Sequence, residues 1–167
     1  MQEVIFLKKI CVLLTLFLIA NLTSCALNQP MYIHFEQKKM PNYYLAEIAT
    51  NISKKIPFTV DVYDCNVNKS IKLDDNESNI IPNFIKSLSN NSYLEESAFT
   101  DTVQFKLIIT FSNSQTFLIN VYNESTATIY PYDGIFAPDI VDMNTVAPRY
   151  NLLDFCSFII DKKNNQM

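Results

Sequence analysis

Apolar and polar side chains alternate along most of residues 103–131, and this pattern restricts the fold more than any other feature of the sequence. Successive side chains of a strand point to opposite faces of a sheet, so the alternation predicts strands with one buried face. It is interrupted at residues 112–115 and 123–125, where Ser and Asn are typical of turns. The segment therefore predicts an antiparallel β-meander, and residues 58–63 predict a further strand.

Helices are predicted to cover the buried face of this meander. Residues 42–56 and about 79–88 carry apolar side chains three and four positions apart. Asp74 and Glu77 resemble a capping box ahead of the second helix, and a last helix is predicted over residues 150–161. The predicted fold class is α+β, a two-layer arrangement with an antiparallel β-meander covered by two or three helices.

The composition excludes several classes of function. The 167 residues contain one Gly, one Arg and one His. One glycine is incompatible with Gly-rich phosphate loops and dinucleotide fingerprints, and one histidine is incompatible with zinc centres that need two or three imidazoles. One arginine and a net charge of −4 argue against a nucleic-acid partner. No cofactor is expected.

The amino terminus has the layout of a secretory signal. Lys8 and Lys9 precede an apolar run over residues 10–20, which is too short a helix to cross a bilayer. The sequence Leu-Thr-Ser-Cys that ends at Cys25 resembles the lipobox of bacterial lipoprotein precursors. The resemblance implies cleavage before Cys25 and diacylation of its thiol, with palmitate as an expected acyl chain.

The lipobox divides the chain into three parts. Residues 1–24 are the predicted signal peptide, residues 25–41 a lipidated tether, and residues 42–167 a single α+β domain. Because two acyl chains give stable anchoring, the resemblance implies a protein held at the extracytoplasmic face of the cell membrane. The alternative is an uncleaved membrane anchor with an incidental cysteine.

A second, weaker resemblance lies in the mature chain. Residues 129–134, followed by residues 150–152, are similar to small uncharacterised lipoproteins of Gram-positive bacteria. No activity is assigned to those proteins, so this likeness implies no ligand or reaction.

The mature domain holds two further cysteines, Cys65 and Cys156. Outside the membrane a disulfide between them is allowed, and it would close a loop of about 90 residues. The alternative is two free thiols that pack as small apolar side chains. The sequence leaves both interpretations open.

The long irregular stretch predicted over residues 131–149 is the candidate binding surface. Loops of this length in a compact domain are often functional, and aromatic faces can stack on a glycan or contact a partner protein. The alternative, which the sequence leaves open, is a loop that folds back and packs its aromatic side chains on the sheet. Gly134 is expected in a turn that needs a positive φ. Arg149 would either bind an acidic group or pair with Asp142. The candidate surface comprises Tyr130, Tyr132, Asp133, Gly134, Phe136, Asp139, Asp142, Arg149 and Tyr150.

Three functions are compatible with these residues. The favoured one is a non-enzymatic module that binds an envelope protein or glycan, since no catalytic set is recognised. The second is an envelope glycan hydrolase that uses carboxylates such as Asp133 and Asp139. The third is an immunity or inhibitor lipoprotein. The spacing of the loop aspartates fits no known calcium loop, so a metal site is not expected.

Overall fold

The computed structural model describes residues 38, 40–94, 101–134 and 136–165. The predicted signal peptide, Cys25 and most of the predicted tether lie outside these ranges. The helices are α1 (Tyr43–Ser53), α2 (Asp75–Ser78), α3 (Ile80–Ser87) and α4 (Leu152–Asn164), with 3₁₀ turns at Asn90–Ser92 and Pro148–Tyr150. The strands are β1 (Phe58–Asp64), β2 (Lys69–Lys72), β3 (Tyr93–Leu94), β4 (Phe105–Phe111), β5 (Thr116–Val121), β6 (Thr126–Pro131) and β7 (Asp139–Asp142).

The seven strands form one antiparallel sheet in the order β2-β1-β4-β5-β6-β7-β3. The predicted α+β class and the meander from β4 to β6 are therefore confirmed. The meander continues into β7, and β1 pairs with β4 along its whole length, from Phe58 opposite Phe111 to Asp64 opposite Phe105. Apolar periodicity predicts where strands lie but not which strands are neighbours, so the strand order could be read only from the structure.

The core lies between one face of the sheet and the helices. Alternate residues of β4 and β5, such as Leu107 and Ile119, are completely buried. The helices contribute Ile48, Phe84 and Ile159, which are also completely buried in the same apolar cluster. The face of the sheet that carries these side chains is called the inner face below, and the opposite one the outer face.

Local signals fix several helix ends. The predicted capping box is confirmed, since Asp74 accepts a hydrogen bond from Glu77 N at 2.8 Å and Glu77 accepts one from Asp74 N at 2.9 Å. The first helix ends at Ser53 rather than at residue 56, because Lys55 adopts a left-handed φ of 56°. The last helix begins after Asn151, whose side chain caps it, and extends to Asn164.

The prediction of an irregular stretch over residues 131–149 is wrong in its second half. Asp139–Asp142 forms β7, and Pro148–Tyr150 forms a 3₁₀ turn. Four residues with an acidic residue at each end give too short a pattern to be recognised as a strand. Only residues 132–138 connect β6 to β7, and with Pro131 they form what is called the aromatic loop below.

Both cysteines are free thiols, and the disulfide between Cys65 and Cys156 is not formed in the structure. Cys156 is completely buried in α4, where burial and the nearby Asp64 carboxylate raise the pKa of its thiol. Burial also raises the pKa of Cys65, against the opposing effect of Lys106. The Asp64 carboxylate lies near both thiols and raises the pKa of each, whereas the Lys106 ammonium acts on Cys65.

Asp139, the first residue of β7, joins the sheet to α1. Its side chain is completely buried, and its Oδ2 accepts a hydrogen bond from Leu45 N at 2.7 Å. Its Oδ1 lies 2.5 Å from Lys38 Nζ. Asn42, at the start of α1, makes no side-chain cap bond. A carboxylate that is distant in sequence therefore satisfies the N-terminal amides of this helix.

The environment of Asp139 opposes its ionisation. Burial raises the pKa of this carboxyl above its ordinary value of 3.8, although the Lys38 ammonium and the Leu45 and Tyr44 amides act in the opposite direction. The folded state therefore binds this proton more tightly than the unfolded chain does. The contribution of Asp139 to the free energy of unfolding is complete below about pH 3.8. It decreases as the pH rises from there through the pKa of the folded state.

Two substitutions at Asp139 test this account by urea unfolding. Asp139→Ala is expected to cost about 1–3 kcal/mol at neutral pH, because it leaves α1 amides buried without an acceptor. Asp139→Asn keeps an acceptor oxygen and should become more stable relative to the wild type as the pH is raised above about 4. If Asp139→Asn instead loses stability relative to the wild type over that interval, the Lys38 ion pair outweighs the cost of burial.

Candidate functional site

A cleft of about 710 Å³ opens beside the aromatic loop. Its walls come from α1, from Ile108 of β4, from residues 113–118 of the β4–β5 turn and the start of β5, and from residues 131–134 and 136 of the loop. Tyr132, Asp133, Gly134 and Phe136 all line it. Tyr132, a large aromatic residue, has 81% of its surface accessible. The structure thus brings together four of the residues singled out in the sequence.

The base of the aromatic loop is held by α1. The Tyr44 hydroxyl donates a hydrogen bond to Phe136 O at 3.1 Å and accepts one from Phe136 N at 2.8 Å. The rings of Tyr43 and Phe136 meet edge to face, with centroids 5.3 Å apart. Because both backbone groups of Phe136 are satisfied by one buried side chain, the loop keeps a defined position while Tyr132 remains exposed.

Gly134 is required for close packing and not for its φ. The expectation of a positive φ is wrong, since among the described residues only Lys55, Asn68 and Ser114 have one. A Cβ atom at Gly134 would lie 2.9 Å from Pro131 Cγ and 3.0 Å from the Tyr44 hydroxyl. The lack of a side chain therefore lets the loop approach the hydroxyl that fixes it.

A polar network forms the wall of the cleft opposite the loop. Gln115 donates to Glu47 Oε1 at 2.6 Å and accepts from Asn51 and Asn113 at 2.8 Å each. Glu47 and Asp133 give the cleft two carboxylates, and among the described residues no Lys, Arg or His lines it. Sequence reasoning missed Glu47 and Gln115, which are 68 positions apart and share no local signal.

The remaining candidate residues do not belong to this cleft. Asp139 is buried beneath α1, and Asp142 accepts a hydrogen bond from Asn144 N at 2.9 Å as part of a turn. Arg149 stacks over the ring of its neighbour Tyr150, with 4.6 Å between the guanidinium carbon and the ring centroid. No ion pair joins Arg149 to Asp142 in the part of the chain that the structure describes.

Tyr130 faces a second, smaller cavity. This cavity measures about 370 Å³ and lies on the outer face of the sheet. Tyr132, Gly134 and Phe136 line it as well, so the aromatic loop separates the two cavities.

Within the described residues there is no group of three His, Cys, Asp or Glu side chains that could hold a metal ion. None of the described helices combines the length and hydropathy of a membrane span.

Substitution of the glycine tests how the loop is positioned. In Gly134→Ala the new methyl group must displace Pro131 or the Tyr44 hydroxyl, so we expect a loss of about 1–3 kcal/mol in unfolding free energy and faster proteolysis of the loop. Ala137→Ser, at an exposed position of the same loop, is the matched control. Equal stability and protease resistance of the two variants would contradict the steric role of Gly134.

Comparison with known proteins gives a family and a fold. No curated protein sequence matches the chain. The fold resembles the crystal structure of a putative lipoprotein from Clostridium perfringens, with a TM-score of 0.68 and 22% identity, over 75% of this chain and 99% of that one. The family described as a domain of unknown function (DUF4883) matches residues 38–156. The chain therefore belongs to that family.

Proposed function

We propose that this protein is a lipid-anchored lipoprotein of the extracytoplasmic membrane face, and that its domain binds an envelope protein or glycan without catalysis. The anchor is supported by the lipobox-like sequence that ends at Cys25 and by a structural relative described as a putative lipoprotein. The binding role is supported by the cleft beside the aromatic loop.

The exposure of Tyr132 is the single observation that carries the binding role. This tyrosine lies on a loop whose base is fixed by two hydrogen bonds between Phe136 and Tyr44, one donated by the Tyr44 hydroxyl and one accepted by it. The Tyr132 amide also donates to Thr116 O at 3.0 Å, and a backbone that is already ordered loses less conformational entropy when a partner binds. Tyrosine is enriched among the residues that dominate the binding energy of protein interfaces.

The proposal of a non-enzymatic role is supported by the positions of the two carboxylates that were considered for glycan hydrolysis. Both oxygens of Asp139 are engaged, by Leu45 N and Lys38 Nζ, and the side chain is completely buried. Asp133 is exposed at the cleft. The Asp133 and Asp139 pair considered for glycan hydrolysis is therefore not assembled around one substrate-sized space.

Acylation of Cys25 is tested by substitution in the native host. In Cys25→Ala, the chain should stay unprocessed and lose palmitate labelling, because only a thiol can form the thioether. Cys65→Ala is the matched control, since it removes a thiol from the folded domain and should leave labelling unchanged. Undiminished processing and labelling of Cys25→Ala would contradict the lipoprotein proposal.

Binding is tested by retention of purified cell-wall and membrane fractions on the immobilised protein. Tyr132→Ala is expected to reduce retention roughly tenfold or more, as truncation of a central aromatic contact does. Phe158→Ala is the control, because Phe158 is also a large exposed aromatic residue, 60% accessible, but lies on α4. Equal retention by both variants would remove the aromatic loop from the binding surface.

A further inference from the structure

The second cavity lies over two interior strands of the sheet. Asn120 of β5 is directly opposite Thr128 of β6 in the antiparallel register. Their neighbours Ile119 and Ile129 point into the core, so Asn120 and Thr128 point to the outer face. Both strands are paired on each side, which leaves no free backbone edge at this place.

Asn120 carries a buried acceptor that has no donor. The residue is 8% exposed, and its Nδ2 donates a long hydrogen bond of 3.3 Å to the Tyr130 hydroxyl. Its Oδ1 has no hydrogen-bond partner among the residues that the structure describes. Buried amide oxygens are rarely left in this state. The oxygen has almost no accessible surface, so a ligand donor in the cavity satisfies it once the Asn120 amide rotates toward the cavity.

The lining of the cavity is aromatic and uncharged. Tyr122, Tyr130 and Tyr132 supply three rings and Thr128 supplies a hydroxyl. In the part of the chain that the structure describes, no Asp, Glu, Lys, Arg or His contributes to this lining. An ionic ligand would therefore be desolvated without a counter-charge. The ligand that fits is neutral, offers hydroxyl or amide donors, and presents an apolar face to the rings.

We propose that this cavity binds a neutral pyranose residue of an envelope glycan, with the Asn120 amide as its polar anchor. This rests on the proposed binding role and names its ligand class. A sugar ring presents hydroxyl donors at its rim and a C–H face that stacks on tyrosine. An extended peptide is disfavoured, because it binds sheets chiefly by adding a strand at an edge, and β5 and β6 are not edges.

The shared aromatic loop extends this site into the cleft. Pro131, Tyr132, Gly134 and Phe136 line both cavities. A glycan of several residues can therefore place one ring over Asn120 and continue past Tyr132 toward Glu47. The two cavities then form one binding surface, whose outer part has an uncharged lining and whose cleft part carries the carboxylates of Glu47 and Asp133.

The test is calorimetric titration of the full mature protein in detergent micelles with triacetylchitotriose, cellotriose and maltotriose. Trigalacturonate and trialanine serve as anionic and peptide probes. We expect binding of at least one neutral trisaccharide and no binding of trigalacturonate. Asn120→Ala should weaken that binding roughly tenfold, and Tyr130→Phe, which keeps the ring, roughly fivefold. Asn66→Ala, at an exposed asparagine of the turn after β1, should leave it unchanged.

Three results would overturn the inference. These are no binding of any neutral trisaccharide by the wild type, sugar binding that both Asn120→Ala and Tyr130→Phe leave unchanged, and binding of trialanine that Asn120→Ala abolishes. The proposed function is tested separately by the retention of envelope fractions. It fails if Tyr132→Ala retains these fractions as well as the control does. A protein whose retention depends on Tyr132 but that binds no sugar keeps its binding role and loses the glycan assignment.

Discussion

The buried carboxylate of Asp139 connects the sheet to the helix on which the candidate site depends. It occupies the start of β7, accepts from Leu45 N at the beginning of α1, and meets Lys38 from the segment before that helix. The helix lacks a local side-chain cap of its own at Asn42. Its orientation over the sheet is therefore set by a residue about a hundred positions away, together with apolar packing.

The position of the aromatic loop depends on the contact between Asp139 and α1. Tyr44 precedes Leu45 in α1, so the amide that Asp139 holds and the hydroxyl that holds Phe136 are on adjacent residues. Gly134 then permits the loop to close against that hydroxyl. A displacement of α1 would move the support of the loop and the Glu47 wall of the cleft at the same time.

Features encoded within a few residues could be predicted, and those that join distant segments could not. The alternation in β4 and β5 predicted their buried faces, and Asp74 with Glu77 predicted a helix start. The aromatic loop was recognised from its tyrosines and its glycine. Asp139 was misassigned to the binding surface. The residues around an aspartate beside a loop do not show whether its side chain faces solvent or caps a helix that is distant in sequence. Glu47 gave no signal at all.

The two sides of the aromatic loop differ in chemistry although they share its residues. On the cleft side, Glu47 and Asp133 contribute carboxylates, whereas on the outer side Asn120 and the tyrosines contribute no charge. The outer face of the sheet contributes to both sides, with Ile108 and Leu118 at the cleft and Asn120 and Thr128 at the second cavity. The difference in charge arises because Glu47 of α1 and Asp133 of the loop line only the cleft. One fixed loop between two such surfaces can discriminate along the length of an extended ligand, and this suits recognition of a polymer better than recognition of a single small molecule.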